Sequence, residues 1–363
     1  MTPAARLPGL DLLRALAVVW VMLFHSFLVG GLGPDWEWLS RYGWMGVDVF
    51  FVLSGYLIGG QVFQQLAAQG RVDMAAFYWR RALRILPAFW VVLAVYTLVP
   101  AAREAPGMEP WWVFALFVFN LCVDYLAHPA FSHAWSLCVE EHFYLLFPAL
   151  AWALSRRPSL RRTAAVALAI VLGGIALRSA IWLQGSALDP PRAWFVEDLY
   201  YPTWCRLDGL LAGVLLAALQ TWRPAWWAGL RARANGVLLA GLALLALAMV
   251  LFSQRTGLLA NSVGWPVLSL ALALNVFAAA QPGSLIGRWR LPGVAWVAAA
   301  SYSLYLSHKI AYHLAQPWIE AHLHGWAAFA AYALAVGALG AALHHTVERP
   351  ALRWRDAHQR PTA

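Results

Sequence analysis

One lysine, three cysteines and few charges of either sign are the shortages that mark this 363-residue chain. Only 12% of its residues are charged while 62% are hydrophobic, and the mean hydropathy is +0.61, which excludes an ordinary water-soluble globular domain. Cys122, Cys138 and Cys205 have no metal-ligand spacing and form no even-numbered disulfide framework. The lysine shortage has its own meaning: 25 of the 26 basic residues are arginine, and most sit in short loops. The net charge of +9 therefore reads as loops facing an anionic leaflet and membrane lipids, with no nucleic acid as a partner. A cleavable signal peptide is not visible, because the first apolar segment is too long and lacks a small-residue cleavage site. No linker and no fixed-period repeat divide the chain. The expectation is a single membrane domain over 1–363 with a short basic tail, 347–363.

What is present is apolar length. Runs of 17 or more residues recur throughout, enough to cross about 30 Å of hydrocarbon, and many of the 22 Trp and 12 Tyr fall at their ends, as interfacial belts do. Candidate spans lie at about 8–30, 44–66, 82–100, 111–127, 134–154, 163–183, 201–220, 236–252, 264–280, 293–314 and 326–345. Eleven full crossings would put the arginine-rich loop "GRVDMAAFYWRRALR" on one side and "SRRPSLRR", "TWRPAWWAGLRARAN", "GRWRLP" and "VERPALRWRDAHQR" on the other. Removing one crossing places all five together. The weakest candidate is 111–127, which is short and interrupted by Asn120 and Asp124. The predicted fold is an all-α, polytopic transmembrane helical bundle with about ten crossings, both termini cytoplasmic, and 111–127 as a re-entrant or interfacial helix. The opposite side then takes "GPDWEWLSR", "AREAPGMEP" and "SALDPPRAWFVEDL", which hold most of the loop acids.

Four groups of polar residues sit inside spans, where an ionisable group costs at least about 2.5 kcal/mol unless it faces protein or water. Arg14 and His25 are separated by ten apolar residues. On a helix they project from one face, about 16 Å apart along the axis, as a polar path through the bundle needs. In "GWMGVDVFFVLSGYLIGG", Gly46, Gly55, Gly59 and Gly60 suit close helix packing, and Asp48 and Ser54 bring polarity. Arg80, Arg81 and Arg84 cluster at an expected helix start, where spacing leaves two readings open: a positive-inside anchor, or an anion site in which the guanidinium forks, the helix dipole and free N–H groups bind a phosphorylated cytoplasmic metabolite. In "HAWSLCVEEHFYLLFP", His133, Ser136, Glu140, Glu141, His142 and Tyr144 crowd one helix start. Ser136, Glu140 and Tyr144 share a face, and two adjacent carboxylates cannot both meet lipid.

The R-x10-H of Arg14 and His25, "GVDVFFVLSGYLI", the R-x-x-R of Arg81 and Arg84, "WSLCVEEHFYLLFP", "RLDGLLAG", "SYSLYLSH" and "VERP" follow one another along nearly the whole chain. In that order they resemble the acyltransferase 3 family of integral-membrane acyltransferases, which O-acylate extracytoplasmic glycans and related molecules. One departure is His142, where the family usually shows Gln. Relatives often carry a further soluble hydrolase-like domain, and none is expected after the last span here. The resemblance implies a multi-pass protein of a bacterial cytoplasmic (inner) membrane that moves an acyl group, acetyl first, from cytoplasmic acetyl-CoA to a hydroxyl of an extracytoplasmic glycan or lipid-linked saccharide, with no metal. On that basis Arg80, Arg81 and Arg84 are assigned to CoA phosphates, Arg14 to donor positioning, and His25 to the general base or a covalent acyl carrier, two roles that stay open. Glu140, with Glu141 as the alternative, would orient the imidazole. Asp48, Ser136, Glu141, Tyr144 and His308 are assigned to substrate binding. A transporter or flippase for a glycan or lipid-linked substrate is the rival reading, although inverted repeats and paired broken helices are not visible. A purely structural or sensory protein is the third, and the number of intramembrane charges counts against it.

Overall fold

A computed structural model describes residues 7–31, 36–157, 159–188 and 191–358. Parts of "GPDWEWLSR", "SRRPSLRR" and "SALDPPRAWFVEDL", and the end of the tail 347–363, lie outside the described residues. All regular structure among the described residues is helical. The long helices are α1 (Pro8–His25), α2 (Met45–Gln69), α3 (Met74–Leu98), α4 (Trp135–Ser155), α5 (Leu160–Leu188), α6 (Leu207–Trp222), α7 (Ala234–Leu251), α8 (Trp265–Ala279), α9 (Val294–His322) and α10 (Gly325–Leu343). Among the described residues, eight helical stretches are long and apolar enough to cross a bilayer, and they contain all of these except α6 and α9. α6 is short, at 16 residues. α9 is long, at 29 residues, but it carries Ser301, Ser303, Ser307, His308 and Lys309, all buried, and so it is an interior helix.

The segment 111–127 contains only two short helices, Trp111–Ala115 and Phe119–Cys122, neither able to cross. Phe117 breaks it in a left-handed conformation (φ 55°), an uncommon state for a bulky residue. Of the two interrupting residues, Asn120 ties the segment to a distant stretch and Asp124 holds a turn within it. Buried Asn120 donates to the Tyr201 carbonyl and to Thr203 Oγ1, and Asp124 Oδ1 accepts from the Ala127 amide.

Helix starts explain one difference from expectation. Asp73 caps α3 by accepting from the Ala76 amide at 2.9 Å, so the helix begins at Met74 and not near residue 82. Packing around α2 depends on glycine. A Cβ on Gly55 would overlap the Leu210 carbonyl, and one on Gly213 of α6 would overlap the Val52 carbonyl, so α2 and α6 touch backbone to backbone. Gly46 meets the Ala17 carbonyl of α1 and Gly59 meets Ala217, but Gly60 faces open space and has no part in the packing face.

α5 exposes most of its length and is anchored through Arg178, which is fully buried. Its guanidinium pairs with Asp208 Oδ2 at 2.8 Å and donates to the Cys205, Asn261 and Ser262 carbonyls. The π-helical turn Ala260–Gly264 accounts for two of these acceptors, because widening the turn frees carbonyls from the regular ladder.

Candidate active site

Arg14 of α1, Ser54 of α2, Arg81 and Arg84 of α3, Glu140 and Glu141 of α4, and Tyr302 of α9 line a cavity of about 270 Å³, with Ser136 and Tyr305 also in its wall. Arg81 and Arg84, Ser136 and Glu140, and Tyr302 and Tyr305 are each three or four residues apart, the spacing that puts side chains on a common face. Glu140 is held at both oxygens: Oε1 accepts from Ser54 Oγ at 2.8 Å and Oε2 from Tyr144 Oη at 2.9 Å. Tyr144 also presents its ring to Arg81, with the guanidinium carbon 5.2 Å from the ring centre. Arg84 forms an ion pair of 2.8 Å with Glu348, and the other oxygen of Glu348 accepts from Ser303 Oγ at 2.6 Å and contacts His344 Nδ1 at 2.9 Å. Glu348 is delivered by a π-helical turn, His344–Glu348, that follows α10. Arg81 makes no hydrogen bond to any described residue, and neither does Glu141.

From Arg14 toward His25 along α1, the polar line changes character. Tyr305 Oη hydrogen-bonds Ser136 Oγ at 2.7 Å and donates to the His133 carbonyl at 2.8 Å, so these two side chains end the arginine cavity. Beyond them three imidazoles gather. His25 Nδ1 lies 2.8 Å from His308 Nε2, His308 Nδ1 lies 2.7 Å from the Tyr305 carbonyl, and the His133 and His308 ring centres are 5.0 Å apart. His133 and His308 are buried while His25 is half-buried. Next to them Lys309 donates to Ser132 Oγ at 2.9 Å and pairs with Glu104 at 3.3 Å. Glu104 also accepts from the amide of Phe131, a second left-handed aromatic (φ 58°), which fixes the strained turn leading into His133.

Most of the expected site residues meet in one place. Arg14, Arg81, Arg84, Ser136, Glu140 and Glu141 line the cavity as one set, and His25 stands at the far end of the same helix face as Arg14. Tyr144 lines it too, holding Glu140 and Ser54.

Five expectations about placement need correction. The hydrogen-bond partner of the His25 imidazole is His308; Glu140 and Glu141 sit at the arginine end, because α4 runs back toward that end after Ser136. Arg80 is absent from the cavity wall and lies near Asp73 and Arg355. The whole arginine group sits in the second and third turns of α3, past its free N–H groups, so the helix terminus adds nothing to an anion site there. Asp48 is buried and paired at 2.8 Å with Arg206, whose guanidinium lies against Trp135, Tyr200 and Trp265, and it is absent from the cavity wall. His308, expected at the substrate, has both nitrogens engaged by protein. His142 turns away and contacts Thr203 Oγ1 at 2.7 Å.

Glu104, Tyr305, Lys309 and Glu348 had no place in the sequence-based set, and Ser54 and His133 entered it only as polar residues within spans. Two carried a readable signal: Lys309 is the lone lysine of the chain, and Glu348 is the acid of "VERP". Among the described residues no group of three or more His, Cys, Asp or Glu side chains is arranged to hold a metal ion.

A family model described as an acyltransferase domain matches residues 7–345. O-acetyltransferase OatA of Staphylococcus aureus (strain NCTC 8325 / PS 47) is 30% identical over 322 residues, covering 83% of this chain and 50% of the relative. A putative peptidoglycan O-acetyltransferase, YrhL, of Bacillus subtilis (strain 168) is 30% identical over 326 residues, covering 83% of this chain and 48% of the relative. The chain thus spans about half the length of these curated relatives. No solved structure matches it.

Proposed function

This chain belongs to the acyltransferase 3 family, and from that premise we propose that it is a membrane O-acetyltransferase that carries acetyl from cytoplasmic acetyl-CoA to a saccharide hydroxyl on the opposite face of a bacterial inner membrane. The observation that carries the proposal is the continuous polar line from three arginines, through Glu140, Ser136 and Tyr305, to the half-buried imidazole of His25. The topology supporting it has ten crossings, the eight long apolar stretches plus α6 and α9, with both ends cytoplasmic. Arginine-rich loops then face the compartment that makes acyl-CoA.

The donor enters at Arg81, Arg84 and Arg14, where guanidinium forks suit phosphate oxygens. The narrow acyl-pantetheine arm follows the cavity as far as Ser136 and Tyr305, and those two side chains must part for the acyl group to reach His25, about 16 Å along α1 from Arg14. The acceptor hydroxyl approaches His25 from the opposite face. As the hydroxyl oxygen attacks the thioester carbonyl, a C–O bond forms, His25 takes the hydroxyl proton, and collapse breaks the C–S bond. The proton then passes to the departing thiolate. A covalent variant has His25 accept the acetyl group first and transfer it second. The relatives' names include peptidoglycan O-acetylation, and a cell-wall glycan is the acceptor class proposed here.

The test is purified protein in nanodiscs with radiolabelled acetyl-CoA and an oligosaccharide acceptor pool. The proposal expects alkali-labile label on the saccharide and stoichiometric release of free CoA. CoA binding without any acetyl transfer across an acceptor panel would refute it, and saccharide movement across the bilayer without acetylation would replace it with transport.

A further inference from the structure

Resting on the role of His25 proposed above, we infer that His308 is a positioning residue that sets the tautomer of His25, so that Nε2 of His25 carries the free lone pair facing the acceptor. The argument begins at a backbone carbonyl. The Tyr305 oxygen can only accept, so the 2.7 Å contact requires the proton of His308 to sit on Nδ1. In a neutral ring Nε2 of His308 is then an acceptor. The atom 2.8 Å from it is Nδ1 of His25, which must therefore carry its own proton. With Nδ1 protonated, a neutral His25 has Nε2 bare, and no described residue hydrogen-bonds that nitrogen. One carbonyl, through one imidazole, thereby determines which nitrogen of the next imidazole can act as a base.

The alternative is a doubly protonated His308, which would donate from Nε2 and force the His25 proton onto its own Nε2. Burial opposes it. His308 is fully buried and follows Tyr305 on the face that also carries Lys309, whose ammonium already pairs with Glu104 and Ser132. A second cation there would share one carboxylate with the lysine. His133 is tied independently, since its Nε2 lies 3.2 Å from the Leu306 carbonyl, and its buried Nδ1 has no hydrogen-bond partner among the described residues. Its proton is on Nε2 and its Nδ1 is left as an acceptor, but its ring centre lies 6.4 Å from that of His25 and the two rings share no hydrogen bond, so the imidazole that orders His25 is His308.

Protein labelled with carbon-13 and nitrogen-15 histidine in nanodiscs tests this without turnover, and so separately from the acetyl-transfer reading. Ring shifts of His25, identified by their loss in His25→Asn, distinguish an Nδ1–H ring from an Nε2–H ring. Wild type is expected to show Nδ1–H. His308→Leu should give a mixture, and His308→Gln, whose amide oxygen can still accept, should keep Nδ1–H. In turnover, His308→Leu should lower kcat roughly ten- to a hundredfold, the loss usual for a group that orients a functional histidine, with KM for acetyl-CoA unchanged. His308→Gln should restore part of kcat. An Nε2–H ring in wild-type His25 overturns the inference, as does an unchanged His25 tautomer in folded His308→Leu.

Discussion

The two arginines of the R-x-x-R pair have different surroundings, and their removal is predicted to have different consequences. Arg84 is ion-paired to Glu348 at 2.8 Å, whereas Arg81 rests on the Tyr144 ring and hydrogen-bonds nothing among the described residues. Arg81 therefore offers a phosphate its full set of donors. Deleting such a charged hydrogen bond costs about 1.5–3 kcal/mol, so Arg81→Ala should weaken CoA binding about ten- to 150-fold with little change in thermal stability. Arg84→Ala instead strands Glu348, which is 2% exposed. Truncating one partner of a buried pair costs about 3–5 kcal/mol, and because Ser303 and His344 still hold Glu348 the loss here should fall at or below the lower end, near 3 kcal/mol. Adding Glu348→Gln to Arg84→Ala should recover most of that stability while leaving CoA binding weak. Equilibrium binding of radiolabelled CoA and a melting curve on the same detergent-solubilised preparations read both effects. Unchanged CoA affinity in Arg81→Ala, or a fully stable Arg84→Ala, would refute the assignment.

The buried anchor of α5 makes another test. Asp208→Asn leaves the Arg178 charge poorly compensated and should lower stability by about 3–5 kcal/mol in a melting experiment, while the paired Arg178→Met, Asp208→Leu change should recover much of it. Gly55→Leu should force α2 from α6 and cost about 1–3 kcal/mol or more by the same measurement, whereas Gly60→Ala, facing open space, should melt with wild type. Reporter fusions after Arg157 and after Ala357 should both report cytoplasm, and opposite sides would contradict the ten-crossing topology.

Period and spacing made much of this legible. The eleven-residue step from Arg14 to His25 placed them on one face of α1, and the four-residue steps from Ser136 to Glu140 to Tyr144 placed those on one face of α4. Asn120 and Asp124 marked the segment that does not form a crossing helix. What periodicity cannot supply is the neighbour that a face meets. The partner of His25 lies 283 residues away on α9, and that of Asp48 lies 158 residues away at Arg206. Without those contacts, a carboxylate was the natural expectation for orienting an imidazole, and Asp48 looked available for substrate. Helix onset was the other loss: three arginines near a presumed start resembled an anion site, and the Asp73 cap moved that start two turns upstream.

The central claim is that His25 performs proton or acyl transfer for donors held at the arginine end. Single-turnover acetyl transfer by His25→Asn, with CoA affinity measured on the same sample, tests it most directly. Asparagine can keep a hydrogen bond to His308 but cannot act as a base or acyl carrier. The account predicts a rate lower by about a hundred- to ten-thousandfold with CoA affinity unchanged. Near-wild-type transfer by a correctly inserted His25→Asn protein would contradict it.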